Sequence, residues 1–226
     1  MQSFVLIDFK PQNTYKDWIF NGVNKEKEQL KFFSKTQIEE KLNNVLEQIP
    51  NIILEKFEKL GWTIIITNTR KLEEEIGVFY EIYGYTNFKL KQFVVYATEE
   101  GIDGLFHEFG HFVDFLLLIS KTNEWNSIYK EEKDGYLSMS LSFTKSNNKE
   151  ETFADAFEFY LRSKKDLSLE QKGKKIIPKT YCVIDNILKY IDYILNDDNI
   201  LKNNNLTNVE NEFYCKIIET ENYDIW

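Results

Sequence analysis

His107-Glu108-Phe109-Gly110-His111 uses both histidines of the chain, placed four residues apart with a glutamate directly after the first. Residues i and i+4 lie on one face of a helix, a turn apart. Two imidazoles so placed can hold one metal ion, and Glu108 reaches the same space from the next position. The pattern predicts zinc, one per chain, with Glu108 as general base for a water that the metal activates. The bland alternative is a surface helix with two solvated histidines, and the neighbours oppose it. Phe106, Phe109, Phe112, Val113, Phe115, Leu116, Leu117 and Leu118 make the stretch largely apolar and predict burial, where histidines need partners.

A catalytic zinc site wants three protein ligands and one open position. The segment from Glu150 to Leu161 reads as a second helix, because Phe153, Ala154, Phe157, Tyr160 and Leu161 recur at helical spacing. Glu151 and Asp155 are four apart on it and share a face. Glu151 is the expected third ligand. Asp155 is the expected acceptor for the free N–H of a ligand histidine. Glu150 competes with Glu151 but has Ala154 at i+4, not a carboxylate. Asp114 is the other alternative ligand.

These segments resemble a known family. His107-Glu108-Phe109-Gly110-His111-Phe112-Val113-Asp114 is similar to the metal helix of the anthrax lethal factor catalytic domain and the Pro-Pro endopeptidases. Glu151-Thr152-Phe153-Ala154-Asp155-Ala156-Phe157 resembles the second metal helix of that family, with Asp155 where a glutamate is more usual. Pro178-Lys179-Thr180-Tyr181, with Val183 to Ile191 after it, resembles the closing helix. Gly61 to Thr67 and Gly84-Tyr85-Thr86 resemble its early strands. The resemblance runs over about residues 45–196. It implies an α+β, mainly helical zincin-like fold with a small mixed β-sheet before the pentad. It also implies a zinc endopeptidase acting on peptide or protein substrates. Because the family includes non-catalytic copies, a metal-binding interaction module with little catalysis is the alternative.

The resemblance further implies a tyrosine hydroxyl, a few residues before the glutamate ligand, as donor to the oxyanion. Here the sequence departs. Seven residues before Glu151 stands Thr144, and the aromatic of that stretch is Phe143, which cannot donate. The nearest upstream tyrosine is Tyr136. The glycine-led, polar stretch Gly135 to Ser140 reads as a mobile loop, so Tyr136 is the expected donor, with a serine or threonine such as Thr144, or a slow site with no donor, as the alternatives. An ordinary buried ring is the competing reading of Tyr136.

The elements that must carry these residues follow from the rest of the chain. Its 226 residues suit one enzyme-sized domain, and 42% apolar residues supply a sizeable core. The expected organisation is an N-terminal extension over 1–35, a metallopeptidase domain over 36–196 and a polar tail over 197–226. With 28 basic and 37 acidic residues the net charge is −9, which argues against nucleic acid or an anionic membrane as partner. No run is long enough to span a membrane, and a monomer is expected. The first ten residues do not read as a secretory signal, because Asp8 interrupts a short apolar run. The chain is therefore expected in the cytoplasm, exported without a signal, or cut from a longer chain. Cys182 and Cys215 read as free thiols, with a disulfide between them as the alternative.

Phe4, Leu6, Trp18, Ile19 and Phe20 suggest a short strand and a turn. Thr36-Gln37-Ile38-Glu39 fits a capping box before the apolar stripe Ile38, Leu42, Val45, Leu46, Ile49. A second helix carries Ile53, Leu54, Phe57 and Leu60 and stops at Gly61. Trp62–Thr67, Val78–Tyr83 and Leu90–Ala97 read as strands, with Gly84–Lys89 as a turn and Arg70–Glu75 as an exposed segment. The 103–120 helix opens at Asp103 as N-cap, and helices near 123–132, 149–164 and 179–196 follow. Leu90–Ala97 is the expected edge strand, which would receive a substrate backbone by β-addition. Asn203-Asn204-Asn205 reads as a link to the final Phe213–Ile218 run.

Overall fold

The computed structural model describes residues 4–8, 32–67, 83–139 and 149–196. Among them the chain is mainly helical with one small mixed sheet, an α+β architecture. It divides into two compact units, Met1–Gln48 with Phe57–Glu108, and Ile49–Lys56 with Phe109–Trp226.

The first unit holds the sheet. Strands β1 (Val5–Asp8), β2 (Thr63–Thr67), β3 (Gly84–Asn87) and β4 (Gln92–Tyr96) lie in the order β1-β2-β4-β3. β1 and β4 both run parallel to β2, with Ile64 opposite Val5 and Phe93, while β3 runs antiparallel to β4. β-Branched residues fill β2, where Ile64 and Ile66 are fully buried. The Phe57 ring meets Phe4, Trp62 and Phe93 with centroids 5.5, 5.7 and 4.8 Å away. These rings form the core under the sheet.

Helix α1 (Lys35–Leu46) buries Ile38, Leu42, Val45 and Leu46, the expected stripe. Its capping box lies two residues earlier than expected. Ser34 caps the helix, accepting from the Gln37 amide, while Gln37 Oε1 accepts from the Ser34 amide at 2.9 Å. The sequence fits the box at both positions, and only Ser34 has the extended backbone that a cap needs. Helix α2 (Asn51–Lys59) ends as expected before Gly61, whose φ of +76° favours glycine.

Two expectations around the hairpin need correction. Gly84–Lys89 is not a turn: Gly84–Asn87 is strand β3, as the family resemblance implied, and the turn falls at 88–91. Asn87 Oδ1 accepts from the Leu90 amide at 3.0 Å, and Lys91 takes a φ of 55°. Leu90 therefore belongs to the turn. Nor is the Leu90–Ala97 segment an edge, because β4 is flanked by β2 and β3. Among the described residues the edges are β1 and β3.

The pentad helix also starts later than expected. Thr98 caps a short helix α3 (Glu99–Asp103), accepting from the Gly101 amide at 3.0 Å. Asp103 thus ends a helix instead of capping one, and its carboxylate pairs with Lys41 at 3.0 Å. Helix α4 (Leu105–Leu117) follows.

The second unit is helical. It contains α5 (Asn123–Glu131), α6 (Lys133–Ser138), α7 (Lys149–Ser163), α8 (Leu167–Ile176) and α9 (Pro178–Asn196). The expected helices near 123–132, 149–164 and 179–196 are present. Helices α6 and α8 were not expected. α6 is short and glycine-containing, and α8 has a buried stripe reduced to Gly173. Trp125 packs edge-on against Phe153 at 5.3 Å, and Tyr129, Tyr136, Met139 and Ile177 form a second buried cluster. Among the described residues no helix is long and apolar enough to cross a membrane. Trp18, Ile19, Phe20, the Arg70–Glu75 segment, most of the Val78–Tyr83 run and all of 197–226 lie outside the described residues.

Candidate metal centre

Helix α4 sets the first two candidate ligands by its own geometry. His107 and His111 sit one turn apart on it, and the apolar residues around them are buried: Leu105, Phe109, Phe112 and Val113 are fully enclosed. Burial was expected of the whole apolar stretch, but Phe115 is 46% exposed and Leu116 to Leu118 are half-buried, because the end of the helix reaches the surface.

Gly110 brings helix α7 close. A Cβ on Gly110 would stand 2.7 Å from Ala154 Cα and 3.0 Å from its carbonyl oxygen, so only glycine permits this approach of α7. The first turn of α7 is pinned as well, since Trp125 Nε1 donates to the Lys149 carbonyl at 3.2 Å. The result is a distance of 3.5 Å between His111 Nε2 and Glu151 Oε2.

His107, His111 and Glu151 each present one ligand atom, and these three atoms lie within 4.8 Å of one another. Histidine nitrogens and carboxylate oxygens bind zinc at about 2.0–2.1 Å, so neighbouring ligands of a tetrahedral ion stand roughly 3.3 Å apart. The 3.5 Å between His111 and Glu151 agrees with that spacing. Two imidazoles and one carboxylate also make the donor set of a zinc site with an open position. The residues fit the ion.

The competing ligands are occupied elsewhere. The carboxylate of Glu150 pairs with Lys121 at the surface. Asp114 is buried and its Oδ1 accepts from the Ser120 amide at 2.7 Å. That bond secures the turn beyond α4, where Leu118 takes a left-handed φ of 53°. Burial raises the Asp114 carboxyl above the ordinary carboxylate range, and the Ser120 bonds oppose the rise.

Asp155 is buried and stands with Glu158 beside His107, one ligand atom from each lying within 4.8 Å of the others. Glu151, Asp155 and Glu158 form one stripe along α7, at i, i+4 and i+7. Glu158 also accepts from Arg162 Nε at 2.8 Å, which balances part of the negative charge gathered there.

Glu108 is 5% exposed and faces strand β3, where the Thr86 hydroxyl donates to its Oε2.

Tyr136 is engaged with helix α9. The stretch expected to be a mobile loop is helix α6, and Tyr136 on it is fully buried. Its hydroxyl shares a hydrogen bond with Thr180 Oγ1 in the first turn of α9. Four residues before it, Glu132 accepts from the backbone amides of Lys179 and Thr180 at 2.7 and 2.9 Å. Glu132 and Tyr136 together hold the start of α9, a structural duty that suits an acid at a helix N-terminus. Burial pushes the Tyr136 phenol above its ordinary range. This placement gives no support to Tyr136 as oxyanion donor, and the buried-ring reading describes it. Phe143 and Thr144 lie outside the described residues. Cys182 Sγ accepts from Asn186 Nδ2 at 3.6 Å, and Cys215 lies outside the described residues.

Residues 90–187 match the family model described as anthrax toxin lethal factor, N- and C-terminal domain. The match supports the lethal factor family. Its span begins in the turn before β4 and ends within α9, so it holds the pentad, Glu151 and Asp155. A comparison with curated proteins finds no match.

Sequence reasoning missed Thr86, Glu158 and Gly110 as parts of this region. Glu158 was recoverable, because it continues the Glu151–Asp155 face by one more turn. Gly110 inside an apolar helix was a signal for close backbone approach. Thr86 had no local signal, since only the sheet brings it to Glu108.

Proposed function

We propose that the chain is a zinc-dependent endopeptidase on a zincin-like fold that cleaves peptide or protein substrates. One observation supports this above the others. His107, His111 and Glu151 gather their ligand atoms within 4.8 Å, and Glu108, the next residue to one of them, is buried and held by a hydroxyl.

His107, His111 and Glu151 would hold the ion. When bound, zinc supplies Lewis acidity to the scissile carbonyl and to the attacking water. Glu108 takes the proton of that water as it attacks and delivers it to the leaving nitrogen. Asp155 orients His107 by accepting its free N–H. Burial of Glu108 strengthens its interactions with charge that develops beside it.

The engagement of Tyr136 with Thr180 favours a second reading, a metal-binding protein-interaction module with little catalysis. Digestion of a peptide library, with and without a chelator, separates the two. The endopeptidase reading expects cleavage that the chelator abolishes and added zinc restores. A zinc-loaded protein that cleaves nothing supports the module.

A further inference from the structure

Strand β3 offers two things at once. Its pairing with β4 sets Tyr83 opposite Tyr96, and the Tyr96 amide donates to the Tyr83 carbonyl at 2.9 Å. Antiparallel pairs alternate between residues that bond across the ladder and residues that face away. Tyr83, Tyr85 and Asn87 therefore bond toward β4, and the backbone groups of Gly84 and Thr86 face the other side of β3. Among the described residues β3 has no strand on that side. An extended peptide added there would bond to the amides and carbonyls of Gly84 and Thr86. The Thr86 side chain meanwhile donates to Glu108 Oε2.

We propose that Thr86 is a positioning residue that links the bound substrate strand to the general base. Its backbone serves the extended peptide, and its hydroxyl fixes one oxygen of Glu108, leaving Oε1 for the attacking water. The proposal rests on the endopeptidase reading. It adds that the base is aligned by the strand that holds the substrate, so a peptide seated in register meets a base already oriented. A hydroxyl suits this task because it donates to the carboxylate without competing for the water's proton. Threonine also meets the β-branched preference of a strand.

Thr86→Val keeps the shape and the backbone and removes only the donor, and Thr86→Ser restores a donor. In peptide cleavage, Thr86→Val is expected to lower kcat by about 10- to 100-fold with KM within about twofold of wild type. Thr86→Ser is expected to recover most of kcat, and zinc content should stay equal in all three. A purely structural role would depress zinc content or KM as well and would not be rescued by serine. The contact itself is measured without metal or activity. In chelator, Thr86→Val should lower the unfolding midpoint by about 3–8 °C when Glu108 is present, and by far less in a Glu108→Ala background. Wild-type kcat in Thr86→Val, failure of serine to rescue, or equal midpoint losses in both backgrounds would overturn the proposal. A wild-type protein that cleaves no peptide defeats the endopeptidase reading instead, and the unfolding cycle still decides whether Thr86 holds Glu108.

Discussion

His111 Nε2 and Glu151 Oε2 stand 3.5 Å apart although 40 residues separate them in the chain. Glu150, one position earlier on the same helix, pairs with Lys121 instead. A helix advances its side chains by about 100° per residue, and here Glu150 and Glu151 take different partners. Purified protein should therefore carry about one zinc per chain. Alanine at His107, His111 or Glu151 should remove most of it, and alanine at Glu150 should not. Metal analysis of the four variants checks this, and full zinc retention in Glu151→Ala would move the third ligand elsewhere.

Asp155 beside His107 sets a finer test. A buried carboxylate that accepts an imidazole N–H fixes the ring and raises its basicity. Asp155→Asn should weaken zinc binding by about 10- to 100-fold while the helical circular dichroism is unchanged. Competition titration against a zinc chelator reads the affinity. An unchanged affinity would reduce Asp155 to a packing residue of α7.

Gly110 is the residue whose size fixes the distance between α4 and α7. Gly110→Ala places a methyl against Ala154 backbone atoms, which cannot yield as a side chain can. The strain should cost about 1–3 kcal/mol, partly offset by about 1 kcal/mol of improved helix propensity. Zinc affinity should fall further than stability does, because His111 and Glu151 are driven apart. Urea unfolding and zinc titration on the same samples give the comparison, and equal zinc affinity would show that the helices can separate without harm.

Tyr136→Phe removes a buried hydroxyl and leaves Thr180 Oγ1 without that partner. The cost should be about 1–3 kcal/mol of stability. Cleavage by the folded protein should be unchanged at a temperature well below its unfolding midpoint. A fall of about 10²–10³ in turnover with stability intact would instead restore Tyr136 as the oxyanion donor.

The candidate site was legible where its geometry is local. The pentad spacing, the Glu151–Asp155 face and the apolar stripes of α1, α4 and α7 all follow from one helix at a time. Reasoning failed where the decision lies across strands or between helices. Gly84 looks like a turn residue, yet pairing with β4 makes it a strand residue, with its would-be Cβ 2.8 Å from Val95 Cγ1. The edge expected at Leu90–Ala97 falls instead on the more polar β3, because an edge is a property of sheet order and not of composition. Tyr136 read as a loop residue because Gly135 precedes it. In the fold, Gly135 lies close against Ile176 and Ile177, a packing reason that sequence alone does not show.

The most direct test of the central claim is peptide cleavage by Glu108→Gln beside wild type, with zinc content measured on the same protein. The account predicts about one zinc per chain in both. It further predicts chelator-sensitive cleavage in wild type and a loss of at least about 10²-fold in the variant. Cleavage near the wild-type rate by zinc-loaded Glu108→Gln, or wild-type cleavage that survives chelation, would contradict it.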